Sequence, residues 1–147
     1  MNLSISSTIL AELQSPALDG LPLEICGILF GQKDLLTGFR SADNVAKNPS
    51  HHFEIDPSVL INVERAARET GPQIVGYYHS HPTGDIRPSQ TDADNAAPDG
   101  RIWLIINGKR AAAWQAVDDG EVFGRFSPIT LDCVDSNGQT VLHKNDI

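Results

Sequence analysis

The sequence predicts an α+β fold in which a curved, largely antiparallel or mixed sheet is flanked by helices. Three observations lead there. Apolar runs of strand length recur through the chain, two segments repeat apolar residues at helical spacing between start and stop signals, and the last third alternates strand-like runs with tight-turn sequences.

The elements follow in order. Ile5, Ile9, Leu10 and Leu13 recur near helical spacing, and Ser15-Pro16 followed by Asp19-Gly20 closes the segment, which predicts a helix over about residues 5–15. Ile25-Cys26-Gly27-Ile28-Leu29-Phe30, bounded by Gly31, reads as a buried strand whose Gly27 marks a bulge or a close approach of another backbone. Leu35 to Phe39 returns antiparallel to it. Asn44 to His52, with Asn48-Pro49-Ser50, is a polar loop leading into a short extended piece at Phe53-Glu54-Ile55. Asp56-Pro57 supplies an N-cap and a first-turn proline, and Leu60, Val63, Ala66 and Ala67 form an apolar helix face until Gly71-Pro72 ends it. Gln73 to His81 is a strand, rich in β-branched and aromatic residues, that runs into the turn Pro82-Thr83-Gly84-Asp85. A short helix starts near Ser89. Arg101 to Ile106 and Ala111 to Val117 are strands separated by Asn107-Gly108, and Asp118-Asp119-Gly120 turns into Val122 to Phe126, giving an antiparallel meander. From Asp132 onward the chain is polar, with Ser136-Asn137-Gly138, and predicts a loosely attached or edge segment.

With 147 residues, 40% of them hydrophobic, the chain suits a single domain with its own core. Eleven basic residues against nineteen acidic ones leave a formal charge of −8, and the only adjacent basic pair is Lys109-Arg110. That balance repels nucleic acid, so no nucleic-acid partner is expected. No membrane association is expected either, because Met1 to Ser6 has neither a basic region nor a continuous apolar core and no stretch approaches the roughly 18 apolar residues that span a bilayer. Cys26 and Cys133 stand far apart in unrelated contexts, which fits a reducing cytoplasm rather than a disulfide framework or a cysteine-based zinc site. The oligomeric state is not legible.

Side chains alternate faces along a strand, so His79 and His81 point the same way about 7 Å apart while Ser80 points opposite. Two imidazoles so placed can converge on one ion. Imidazole nitrogen and carboxylate oxygen are ordinary zinc donors at about 2.0–2.2 Å, and a catalytic zinc takes three protein ligands with water in the fourth position. Asp92, in the first turn of the helix after the loop, can fold back over the strand end as the third. A bare His-x-His pair is more often two surface residues, but Pro82, Gly84 and Pro88 fix the path of the connection, and Ser89-Gln90-Thr91-Asp92 sets two polar groups on one helical face. The same four residues also read as a capping box, and the pattern leaves capping and ligation level. His51 and His52 face opposite ways in an extended chain and read as loop residues, His143 as solvated, and Trp103 and Trp114 as packing. Ser80 reads as structural and Cys26 as a small buried hydrophobe.

These residues resemble the JAMM or MPN-plus (JAB domain) metallopeptidases, in a short prokaryotic form. That family's signature is a glutamate upstream of His-x-His, then seven residues, Ser, two residues and Asp; His79-Ser80-His81 followed by Ser89 and Asp92 matches without a gap. The glutamate's setting, Pro-x-Glu-x-Cys-Gly-x-Leu-x-Gly, is matched by Pro22 to Gly31 around Glu24. Phe53 to Pro57 and the following helix also look like the family's middle, so the resemblance covers roughly residues 5–127. It implies a three-layer architecture like that of the cytidine deaminases, one Zn2+ per chain held by His79, His81 and Asp92, and hydrolysis of a peptide or isopeptide bond. Zinc lowers the pKa of its water to about 7. Glu24 would take the water's proton and deliver it to the leaving amine, and Ser89 would donate to the developing oxyanion. The implied partner is a ubiquitin-like or sulfur-carrier protein whose extended C-terminal tail pairs along a strand edge. No long insertions flank the motif, which disfavours linkage-selective deubiquitination.

The alternative from a different class is a non-catalytic scaffold or binding module, as metal-free relatives are. Lost ligands mark those relatives, and all five positions are intact here. A cytidine-type deaminase wants His-x-Glu with Pro-Cys-x-x-Cys downstream, which these two cysteines do not supply, and a barrel amidohydrolase needs roughly 250 residues.

Overall fold

Alternation of side chains along each strand decides which layer it feeds. The computed structural model describes residues 1–135 and 139–143, the last four as backbone only. Its elements are β1 (Asn2–Ser6), α1 (Ser7–Asp19), β2 (Cys26–Gln32), β3 (Leu35–Ala42), α2 (Pro57–Arg68), β4 (Ile74–Ser80), α3 (Gln90–Asn95), β5 (Ile102–Ile106), β6 (Ala111–Gly120), β7 (Gly124–Val134) and β8 (Thr140–His143). The strands form one sheet in the order β1-β3-β2-β4-β5-β6-β7-β8. Neighbours are antiparallel except β4 with β5 and β1 with β3. β1 also pairs in parallel with β7, so the sheet curls until both flanks meet that strand.

Both faces of this sheet are covered. Tyr78 of β4 shares a core with Leu29, Leu104, Ile106 and the α1 residues Leu10 and Leu13. Cys26 and Ile28 of β2 pack instead with Val63 of α2, while Trp103 and Ile105 of β5 pack with Ala93 of α3. Each fully buried Leu or Ile side chain contributes ~1.5–3 kcal/mol, so the two cores, rather than helix propensity, hold α1 and α2 in place. The result is the expected α+β class, a mixed, curved sheet between helices.

Differences from expectation concentrate at the two ends. The first helix starts at Ser7, where the Ser6 hydroxyl caps it by accepting from the Ile9 N–H at 3.0 Å; Ile5 belongs to β1. Leu3 and Ile5 alternate with polar neighbours and are both buried, and this period of two overrides the helical reading. The helix also runs through Pro16 to Asp19, because Leu13 and Ala17 stay buried on the same face while the missing donor falls near the helix end. Of the loosely attached or edge segment expected from Asp132, the edge reading holds, since β8 ends the sheet, but its start is not loose. Leu131 and Cys133 are buried in β7, Asp132 to Val134 pair with β1, and β8 pairs back on β7. Ser136-Asn137-Gly138 and residues 144–147 lie outside the described residues, as does the side chain of His143.

At Gly27 the choice between bulge and close approach is decided. A Cβ there would meet the Arg40 carbonyl oxygen at 2.3 Å and the Tyr78 ring at 2.5 Å, while the register shift against β3 falls between Phe30 and Gly31. The histidine strand β4 is central, between β2 and β5, so its C-terminal end opens where an antiparallel and a parallel neighbour meet.

Candidate metal centre and active site

The end of β4 is tied to the start of β2 by a reciprocal contact. The Ser80 N–H donates to the Ile25 carbonyl at 3.0 Å, and the Ser80 hydroxyl accepts from the Ile25 N–H at 2.9 Å. Ser80 is therefore structural, as expected, and it sets Glu24 beside the two histidines that flank it. Glu24 itself precedes β2; its N–H donates to the Pro49 carbonyl at 2.8 Å and its carbonyl accepts from Asn44 Nδ2 at 2.9 Å.

His79 and His81 converge as the alternation requires, with their Nε2 atoms 3.0 Å apart. Asp92 lies across both. Its Oδ1 is 3.1 Å from His79 Nε2 and its Oδ2 is 3.1 Å from His81 Nε2. The same carboxylate completes a capping box on α3, accepting from the Ser89 N–H at 2.9 Å while the Asp92 N–H donates to the Ser89 hydroxyl at 3.0 Å. Capping and metal-directed placement, level in the sequence, are thus one arrangement: the cap fixes the carboxylate that faces the histidines.

The loop joining β4 to α3 is pinned at several points. Asn107 Nδ2 donates to the Gly84 carbonyl at 2.9 Å, and Trp114 Nε1 donates to the Ile86 carbonyl at 3.1 Å. His81 Nδ1 lies 2.7 Å from the Asp85 carbonyl, which can only accept, so this nitrogen carries a proton, and in the neutral ring Nε2 presents its lone pair to Asp92 and His79. A lone pair facing a carboxylate is relieved by a cation between them, either a proton or a metal ion. A buried polar atom without a partner adds to this, since Glu24 Oε1 has none. One ligand-type atom each from Glu24, His79 and His81 falls within 4.8 Å of the others. Nitrogen and carboxylate donors of this kind fit a divalent cation such as zinc.

Burial and charge shift these groups in different directions. Burial pushes the Glu24 carboxyl up to about 7, with Asp92 adding to the rise and His81 opposing it. Burial lowers His79 more than Asp92 raises it. His81 is raised on balance, because the hydrogen bond and charge of Asp92, then Glu24 and the Asp85 carbonyl, together outweigh burial. For Asp92 burial acts upward, but His79, His81 and the Ser89 N–H hold its carboxyl well below the usual carboxylate range.

Several neighbours were not legible as site residues. Phe53 stacks on the His79 ring at 4.3 Å and 20°, and Trp103 meets His79 edge-on at 5.7 Å. Trp103 packs as expected, but with Phe53, Leu60, Tyr77 and Asp92 it also lines a cavity of about 430 Å³ beside the carboxylate. A second cavity of about 160 Å³ is bordered by Glu24, His81, Arg87 and Ser89, and by His51 of the polar loop. The one signal for these was the Phe53-Glu54-Ile55-Asp56-Pro57 stretch, which carried a family likeness but no role. Cys26 is buried and free, and burial pushes its thiol up to about 12, as befits a small hydrophobe.

A two-histidine, two-carboxylate cluster at the end of a central strand, in a mixed sheet covered on both faces, defines a hydrolase of the JAMM kind. Comparison with known proteins agrees: residues 6–118 match the model of the prokaryotic homologues of the JAB domain, and the chain belongs to that family. It is accordingly an enzyme of the isopeptidase class. A desampylase of Haloferax volcanii is 36% identical over 102 residues, covering 68% of this chain and 73% of that protein. Among solved structures, a Desulfitobacterium hafniense protein determined in solution superimposes with a TM-score of 0.73 at 24% identity, covering 92% of this chain and 96% of its own. A JAB1/MPN domain protein from Archaeoglobus fulgidus superimposes with a TM-score of 0.57 at 19% identity over 88% and 98% of the two chains. These structures share the fold.

Proposed function

We propose that the protein is a zinc-dependent isopeptidase that cleaves at the C-terminal tail of a ubiquitin-like or sulfur-carrier protein in the cytoplasm, with one Zn2+ per chain held by His79, His81 and Asp92. One observation carries this reading: Glu24 is a buried carboxyl with an unpartnered oxygen, set against two imidazoles that Asp92 already faces. Bound there, zinc would supply a Lewis acid that lowers the pKa of its water to about 7 and polarises a scissile carbonyl.

The chain's own residues do the rest. Glu24, set beside both imidazoles with one oxygen unpartnered, is placed to accept a proton from the attacking water and return it to the leaving amine. The Ser89 hydroxyl accepts from the Asp92 N–H, which leaves its own proton free to donate toward an oxyanion in the cavity that it shares with Glu24 and His81. The larger cavity, walled by Phe53, Leu60, Tyr77 and Trp103, offers an apolar path to an extended tail. The desampylase relative supports a ubiquitin-like partner.

The test measures zinc stoichiometry and cleavage of a ubiquitin-like protein fused through its C-terminus, in the wild type, Glu24→Gln and His81→Ala. We expect about one zinc in the wild type, a loss of roughly 10²–10⁴-fold in Glu24→Gln with zinc retained, and loss of both in His81→Ala. Equal cleavage by Glu24→Gln sinks the mechanism. Protein purified without chelator and carrying no metal would favour the scaffold alternative.

A further inference from the structure

Glu24 lies outside the sheet ladder, so something else must hold its peptide. Its two backbone groups are taken by the polar loop after β3, through the Pro49 carbonyl and the side chain of Asn44. Asn44 is unusually committed. Its Nδ2 donates to the carbonyls of Glu24 at 2.9 Å and His52 at 3.0 Å, with a longer contact to Pro49 at 3.5 Å. Its Oδ1 accepts from the N–H groups of Ala46 and Glu54, each at 3.1 Å. A primary amide has two donor hydrogens and two acceptor lone pairs, and all of them are used.

The partners are telling. The bonds to the His52 carbonyl and from the Glu54 N–H bracket Phe53, the ring stacked on His79. The bond to the Glu24 carbonyl leaves the loop altogether. One amide therefore fixes the proton-carrying carboxyl on one side and the ring backing a histidine on the other. We infer that Asn44 is a positioning residue for hydrolysis, holding Glu24 in register with His79 while touching neither substrate nor ion. The inference rests on the catalytic reading above.

Misplacement of a catalytic group by about 1 Å can lower turnover on the order of 10²-fold without changing what binds. Asn44→Asp keeps Oδ1 for Ala46 and Glu54 but sets an acceptor against the carbonyls of Glu24 and His52. Asn44→Ala removes both sets of bonds. Asn48→Ala, on the exposed part of the loop, is the control. In zinc-loaded full-length protein, per folded molecule, we expect kcat to fall about 10–100-fold in both Asn44 variants with KM within about twofold, and no change in the control.

A second readout needs no turnover. In chelator-treated protein, Phe53→Leu defines how the His79 ring-proton resonances move when the stacked ring is lost, and the Asn44 variants should move them the same way. Wild-type kcat in Asn44→Asp, a loss confined to KM, or unmoved His79 resonances would each overturn the role. Full activity in Glu24→Gln, or an inactive wild type, instead strikes the catalytic reading, and the His79 resonances then decide whether Asn44 positions this cluster. Should Asn44→Ala fail to fold, Asn44→Asp carries the test.

Discussion

The two faces of β4 are made by alternate residues of one strand, yet they serve opposite ends. Tyr78 and Ser80 point toward α1, where Tyr78 packs in the main core and the Ser80 hydroxyl accepts a backbone N–H of the next strand. His79 points the other way, toward His81, Asp92 and Glu24, where imidazole nitrogens and carboxylate oxygens crowd together and Glu24 Oε1 stays unpartnered. Both sides are buried, so exposure does not separate stability from function here. Partnership does at these residues: the Ser80 hydroxyl has its partner, while Glu24 Oε1 beside the histidines has none.

The sharpest way to break that contrast is on the site side. Asp92→Asn keeps the size of the side chain and an oxygen for the cap but removes the charge facing both imidazoles. Zinc stoichiometry should collapse and turnover should fall ~10³-fold or more, since the ion is asked to supply several kcal/mol. Thermal unfolding of the chelated protein near neutral pH should also come earlier, since His79, His81 and the Ser89 N–H stabilise this carboxylate in the fold. A variant that binds zinc as the wild type does would show that Asp92 only caps α3.

The α1 side should answer in the opposite currency. Leu104 is fully buried and pairs in register beside Tyr78. Leu104→Ala should lower the unfolding free energy by about 2–5 kcal/mol, read from denaturant titration, while turnover per folded molecule stays near wild type. A large fall in turnover at full folding would mean that the two faces are coupled.

Glu24 allows the contrast to be read through pH. Its carboxyl titrates near 7 in the fold against an ordinary value of 4.5, so between those values the folded chain keeps a proton that the unfolded chain has released. Stability from this group is therefore full below about 4.5 and is lost as pH rises through 7. In chelated protein, Glu24→Gln should be more stable than wild type at pH 8 by up to ~3 kcal/mol and show no such advantage near pH 4. A difference independent of pH would mean that burial does not hold the carboxyl neutral.

This division also explains what was legible in the sequence. His79, His81 and Asp92 could be singled out because a period of two and a fixed loop place them by local rules, and Glu24 because its strand start has a recognisable setting. Asn44, Phe53 and Trp103 could not, since their roles depend on a polar loop folding onto β2 and β4 from a distance. The start, and the tight hold of the residues from Asp132, escaped for a related reason. Ile5 fits a helical period as well as a strand's, and only pairing with Cys133 of β7, remote in sequence, decides between them. The polar character of Asp132 and Asp135 hid a strand whose alternate residues, Leu131 and Cys133, are buried.

Ser80 is the residue that belongs to both faces, and it yields the smallest and most informative effect. Its side chain points away from the histidines on either side, yet its hydroxyl holds the Ile25 N–H next to Glu24. Ser80→Ala orphans that part-buried donor and should lower stability by ~1 kcal/mol. If the hydroxyl served only the core, turnover per folded molecule would match wild type. Because it holds Ile25, the residue next to Glu24, we expect kcat to drop up to ~10-fold with KM unchanged and zinc still bound. Steady-state kinetics beside a denaturant titration on the same sample distinguish the two outcomes, and equal kcat would confine Ser80 to the α1 side of the comparison.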